Sequence, residues 1–158
     1  AQPNSFPPKL YNSPIFLNNM SITTTELMLQ WYEEVWNKGN AAFIDERMHP
    51  DTIIHGLDPL GAMQGIDNFK SFYTNFRKSF PHIHVNVQVL ASSEDSVAVY
   101  CKVCAKNVDG KEVSFNGLSA VRVKDGMFVE GWNNFDFLKM YQQLGHILVA
   151  GDDASHES

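Results

Sequence analysis

A change of hydrophobic period near residue 82 constrains this chain more than any other feature. Ahead of it, Leu27, Met28, Trp31, Tyr32, Val35 and Trp36 recur at helical spacing. Beyond it, Ile83, Val85, Val87 and Val89 alternate with His82, His84, Asn86 and Gln88, as in a strand with one buried face. Helices followed by hairpin-linked strands predict an α+β fold rather than an alternating one. The expected architecture is a strongly curved antiparallel β-sheet wrapped around three N-terminal helices, forming a conical cavity.

The element boundaries follow from local chemistry. Thr23 and Glu26 have capping-box spacing, so the first helix starts there and stops at Asn37-Lys38-Gly39. A short helix fits 41–48, before Pro50. A short strand fits 51–55, and 56–61 reads as a loop. The third helix carries Ile66, Phe69, Phe72, Tyr73 and Phe76 on one side and ends before Pro81. Strands are expected from 82, over 97–106, over 112–123 with a turn at Asp109-Gly110, and over 127–135. Gly117 is a candidate bulge, and 136–144 a final short helix. The expected organisation is an irregular arm or leader over residues 1–22, one domain over 23–146 and a tail over 147–158. Four of the seven prolines lie in the arm, and Met20 offers a natural start just before the first helix.

Composition removes several function classes. A net charge of −6 gives no footprint for nucleic acid or for an acidic membrane surface. No apolar run is long enough to span a bilayer. The two cysteines, Cys101 and Cys104, spell C-x-x-C inside a strand, where positions three apart face opposite ways, so they read as packing residues. His82 and His84 share a face without an evident third ligand, so no metal is expected. No nucleotide-binding glycine loop or nucleophile elbow occurs, so no cofactor is expected either. Unpaired thiols and the lack of a secretory pattern point to the cytoplasm.

The residues left to carry chemistry are few. Strand parity sets Trp132, Asn134 and Asp136 on one face. Asp136 stands where the last strand meets the last helix, and the pattern allows two roles for it. It can cap that helix, or act as a base whose pKa a dry cavity would raise. His55, at a strand end, either reaches a pocket or bonds a backbone carbonyl. Element faces select Tyr32, His55, Met63 and Phe72 as cavity lining, with Trp132 and Asn134 shaping and orienting a ligand.

The run Asp125-Gly126-Met127-Phe128-Val129-Glu130-Gly131-Trp132, then Asp136, then Gln143-Leu144-Gly145, resembles the ending of the SnoaL-like polyketide cyclases. Glu34 to Asn40, His49-Pro50-Asp51, Gly65 and Ser79-Phe80-Pro81 are similar to earlier parts of that family, so the resemblance covers about residues 25–146. It implies the nuclear-transport-factor-2-like fold, a cystatin-like α+β barrel. It also implies cofactor-independent intramolecular aldol closure of a hydrophobic polyketide-like carbonyl substrate, with Asp136 as the acid/base residue. Ser119 stands near the place of the cyclase histidine. The superfamily also holds isomerases, dehydratases, epoxide hydrolases and non-catalytic binding or dimerisation modules. Its members pair through the outer sheet face, so a homodimer is expected.

Overall fold

The Thr23 hydroxyl accepts the Glu26 N–H at 3.1 Å while the Glu26 carboxylate accepts the Thr23 N–H at 3.0 Å, and the first helix begins on this reciprocal cap. The structure is a computed structural model and describes residues 21–151. The expected arm, apart from Ser21 and Ile22, and tail residues 152–158 lie outside the described residues. Helix α1 (Thr24–Trp31) winds on into a π-helical stretch, Tyr32–Asn37. Then follow α2 (Ala42–Arg47), β1 (Met48–Asp58), β2 (Gly61–Gln64), α3 (Ile66–Ser79), β3 (His82–Ser92), β4 (Ser96–Lys106), β5 (Glu112–Lys124), β6 (Met127–Phe135) and α4 (Phe137–Gln143).

The strands form one six-stranded sheet in the order β2-β1-β6-β5-β4-β3. Neighbours are antiparallel except β1 and β6, which run parallel. The expected loop after residue 55 is instead the end of a longer β1, which turns at Pro59-Leu60 into β2. The short apolar content of 61–64 gave no strand pattern to read. Gly117 pairs regularly with Phe135 and is not a bulge. Its need for glycine is steric, because a Cβ there would lie 2.2 Å from the Phe135 ring.

Packing follows the two periods. Val97, Val99, Cys101, Val103 and Ala105 of β4 are buried, while Cys104 is exposed, as opposite strand faces require. They meet Leu27, Met28, Trp31 and Val35 of the first helix. Trp31 packs edge-on to Phe128 at 5.1 Å and against Phe69 at 5.6 Å. The Tyr73 hydroxyl ties α3 to the first helix by donating to the Val35 carbonyl at 2.8 Å. Among the described residues no helix is long and apolar enough to cross a membrane.

Two side-chain amides complete the free strand edges. On edge strand β3, Val85 N–H donates to Asn37 Oδ1 at 2.7 Å and Asn37 Nδ2 donates to the Val85 carbonyl at 3.1 Å. On β5, beyond the last residue paired with β6, Gln143 treats Ser114 the same way, at 2.9 and 2.8 Å. Each amide imitates a neighbouring strand where backbone groups would otherwise lack partners. Gln143→Ala is therefore expected to lose about 1 kcal/mol, given its exposure. Thermal denaturation should show the midpoint falling by roughly 2–4 °C. Gln142→Ala serves as the matched control and should leave it unchanged.

Candidate functional site

The concave sheet face and the helices enclose a cavity of about 90 Å³. Its walls are almost wholly apolar, with Met28, Trp31, Ile54, Phe69, Val103 and Phe115 among them. Polar groups gather at one place. The Ser119 hydroxyl donates to Asn133 Oδ1 at 2.9 Å, and Asn133 Nδ2 donates to the His55 carbonyl at 3.2 Å. The Tyr32 side chain, from the start of the π-helical stretch, lies beside Ser119 and Cys101. Burial pushes the Tyr32 pKa well above its ordinary value, and Cys101 adds to that while Ser119 opposes it. Burial likewise raises the Cys101 thiol. Tyr32 is thus a neutral hydroxyl at physiological pH and a permanent donor. The buried Thr52 also lines the space.

An aromatic belt forms one part of the cavity wall. Phe72 stacks on Phe76 at 5.8 Å, Phe76 meets Phe137 at 6.4 Å, and Phe137 stacks on Phe135 at 6.1 Å. All four rings line the cavity and are half-buried. An apolar cavity of ~150 Å³ is enough to hold benzene, and drug-sized ligands occupy roughly 300–1,000 Å³. At about 90 Å³ this cavity is smaller than either.

The residues selected from sequence divide sharply. Tyr32 and Phe72 line the cavity. Met63 is buried in β2 opposite Ile54 but is not part of the lining. His55, Trp132 and Asn134 lie on the outer face of the sheet, and Asp136 is exposed beside them. The cause is a single register shift: Val123 pairs with Phe128 but Arg122 with Glu130, leaving Val129 as an extra residue. Phe128 points inward, so plain alternation would send 130, 132, 134 and 136 inward too. The bulge hands the interior to Gly131, Asn133 and Phe135 instead. Asn133 was thereby missed, since no residue pattern marks the extra position. Ser119, singled out only as a stand-in for a histidine, does face the cavity.

Asp136 serves the other role its position allowed. Its Oδ1 accepts the Lys139 N–H at 3.0 Å as the N-cap of α4, and its own N–H donates to the Asn116 carbonyl at 2.9 Å. The carboxylate is outside the cavity lining, which corrects the expectation of a base within it. Asparagine caps helices as well as aspartate does, so Asp136→Asn should change stability by less than about 0.5 kcal/mol. Asp136→Ala should lose about 1 kcal/mol. Urea denaturation of the two variants checks this directly.

On the outer face a second cluster surrounds Trp132. The His55 ring stacks on it at 5.4 Å with 12° between planes, and the Arg122 guanidinium lies 5.4 Å from its centre. Glu130 bridges the two, with Oε1 2.9 Å from His55 Nε2 and Oε2 accepting from Arg122 at 3.2 Å. Glu130 also borders the cavity, but its carboxylate is committed to these partners. No group of three His, Cys, Asp or Glu side chains among the described residues could hold a metal ion.

A curved sheet closed by helices over an apolar hollow with one polar end defines an α+β barrel built around a hydrophobic interior site. The family model of the SnoaL-like polyketide cyclases matches residues 26–144, and the chain belongs to that family. Solved structures agree. A loop-truncated variant of IdmH is 25% identical with a TM-score of 0.69, covering 78% of this chain and 100% of that one. A Bacillus cereus protein provisionally named a polyketide cyclase is 27% identical with a TM-score of 0.68, covering 81% of this chain and 88% of that one. Wild-type IdmH of Streptomyces antibioticus, at 23% identity and a TM-score of 0.67, covering 79% of this chain and 100% of that one, shares the fold. Comparison with curated proteins gives no match.

Proposed function

We propose that this protein takes an uncharged, hydrophobic polyketide-like carbonyl compound into the cavity and promotes its ring closure or isomerisation without a cofactor. The observation that carries this reading is the convergence of Tyr32, Ser119 and Asn133 at one end of an otherwise apolar space. In aldol closure the C–H bond beside one carbonyl breaks and its carbon bonds to a second carbonyl. That second carbonyl's oxygen then takes up a proton. Negative charge passes from the enolate oxygen to the new alkoxide, and a fixed neutral donor stabilises both. Tyr32 supplies that donor, with Ser119 and Asn133 holding its surroundings. A substrate with flanking carbonyls releases its α-proton to water readily, and confinement by the belt aligns the reacting ends.

A second reading is a binding protein without catalysis. The commitment of the Glu130 carboxylate to His55 and Arg122 favours it, because the cavity then has no free carboxylate among the described residues to act as base. Benzoylacetone, a neutral aromatic 1,3-diketone, separates the two. The enzyme reading expects faster exchange of its α-hydrogens in deuterated water, lowered by Tyr32→Phe. A binding protein would quench tryptophan fluorescence with the probe and leave exchange at the solvent rate. Neither binding nor exchange would end both readings.

A further inference from the structure

The outer cluster and the polar end of the cavity share a strand junction. His55 belongs to both: its ring lies outside against Trp132 and Glu130, while its backbone carbonyl accepts from Asn133 Nδ2, whose side chain lines the cavity. The next residue is Gly56, at φ +85°, packed against the Asn133 backbone so closely that a Cβ would come within 1.8 Å of the Asn133 oxygen. Here the β1–β2 register breaks between Ile54 and Asp58, and the last registered β1–β6 pair is His55 with Trp132. Beyond that pair β1 has no registered partner on β6, and its next registered pair is Asp58 with Gly61 of β2. The His55 carbonyl thus stands at the end of the β1–β6 ladder, where the contacts of the His55 side chain add to the hold of the backbone pairing.

We propose that His55 and Trp132 are positioning residues that fix the donors of the cavity from the opposite side of the sheet. The ring stack and the Glu130 bond pin β1 to β6, the pinned carbonyl orients the Asn133 amide, and Asn133 sets the Ser119 hydroxyl beside Tyr32. Arg122 completes the grip by holding the other Glu130 oxygen and lying over the Trp132 ring. The cluster has the makeup of a ligand site, with an aromatic plane, a guanidinium and an imidazole. Yet its polar groups are bonded to one another, which is the arrangement of a clasp. The consequence for a ligand rests on the function proposed above, but the positioning itself is measurable in the empty protein.

The test is solvent exchange of the Asn133 side-chain amide by NMR, on the ligand-free full chain. His55→Ala and Trp132→Ala should each speed that exchange at least tenfold and shift its resonances. His55→Gln, which retains a donor for Glu130, and Trp132→Phe, which retains a ring, should restore most of the protection. Leu118→Ala alters an exposed outer-face residue across from Asn134 and should leave the Asn133 amide as it was. Two results would overturn the inference. One is unchanged Asn133 exchange in both alanine variants while they remain folded. The other is an equal effect from Leu118→Ala, which would mean general loosening. Failure of benzoylacetone to bind would touch the proposed function and leave this measurement standing.

Discussion

Gly56→Ala is expected to be the most damaging single methyl that can be added to this protein. The new Cβ would sit 1.8 Å from a backbone oxygen, that of Asn133, and a backbone atom within a sheet cannot step aside as a flexible side chain can. A positive φ of +85° adds roughly 1–2 kcal/mol of strain for any L-residue. The overlap is relieved only by separating β1 from β6. A loss of about 3–5 kcal/mol is expected, a large part of the ~5–15 kcal/mol that holds a typical domain together. Urea denaturation measures it, and Gly110→Ala isolates the cause. Gly110 has a similar φ of +80° but open space around its Cβ, so it should lose only about 1–2 kcal/mol. Equal losses at the two positions would mean that the close approach at Gly56 is not what matters.

Tyr32→Phe should have the largest effect on function for the smallest change in structure. It removes one buried oxygen and leaves the ring filling the same space. Ser119 still donates to Asn133, so no charged group is stranded and stability should shift by about 1 kcal/mol or less. Loss of a fixed donor to a developing oxyanion typically lowers turnover by ~10²-fold or more, while ground-state affinity, resting on apolar contact, falls less. The expected result with benzoylacetone is thus a loss of roughly 100-fold or more in exchange rate with binding weakened less than about tenfold. An unaltered exchange rate would remove Tyr32 from the chemistry. Exchange lost in proportion to binding would reduce it to an anchor.

Much of this arrangement was legible before any coordinates. The capping box at Thr23, the opposed faces of Cys101 and Cys104, and the four long strands all follow from short-range rules that depend on one or two neighbours. Tyr32 and Phe72 lie in the cavity wall, a position readable from helical periodicity because it accumulates over several turns and tolerates a local irregularity. The face assignment on β6 failed for the opposite reason. Alternation of period two carries no redundancy, so one extra residue at Val129 reverses every position after it. Asp136 and Asn134 moved outside by that step, and Asn133 moved in. The register of β6 against β5 is decided by cross-strand fit, including the Phe135 ring over Gly117, which no single segment encodes.

The π-helical stretch carries a consequence for how this chain can change over evolutionary time. Tyr32 opens it and must face the hollow, and Asn37 closes it and must reach the edge of β3. Each residue of an ordinary helix advances about 100° around the axis. Deleting one position between the two would swing either the phenol or the amide out of place. The spacing is therefore as fixed as the two residues themselves: the segment is locked by count as well as by composition.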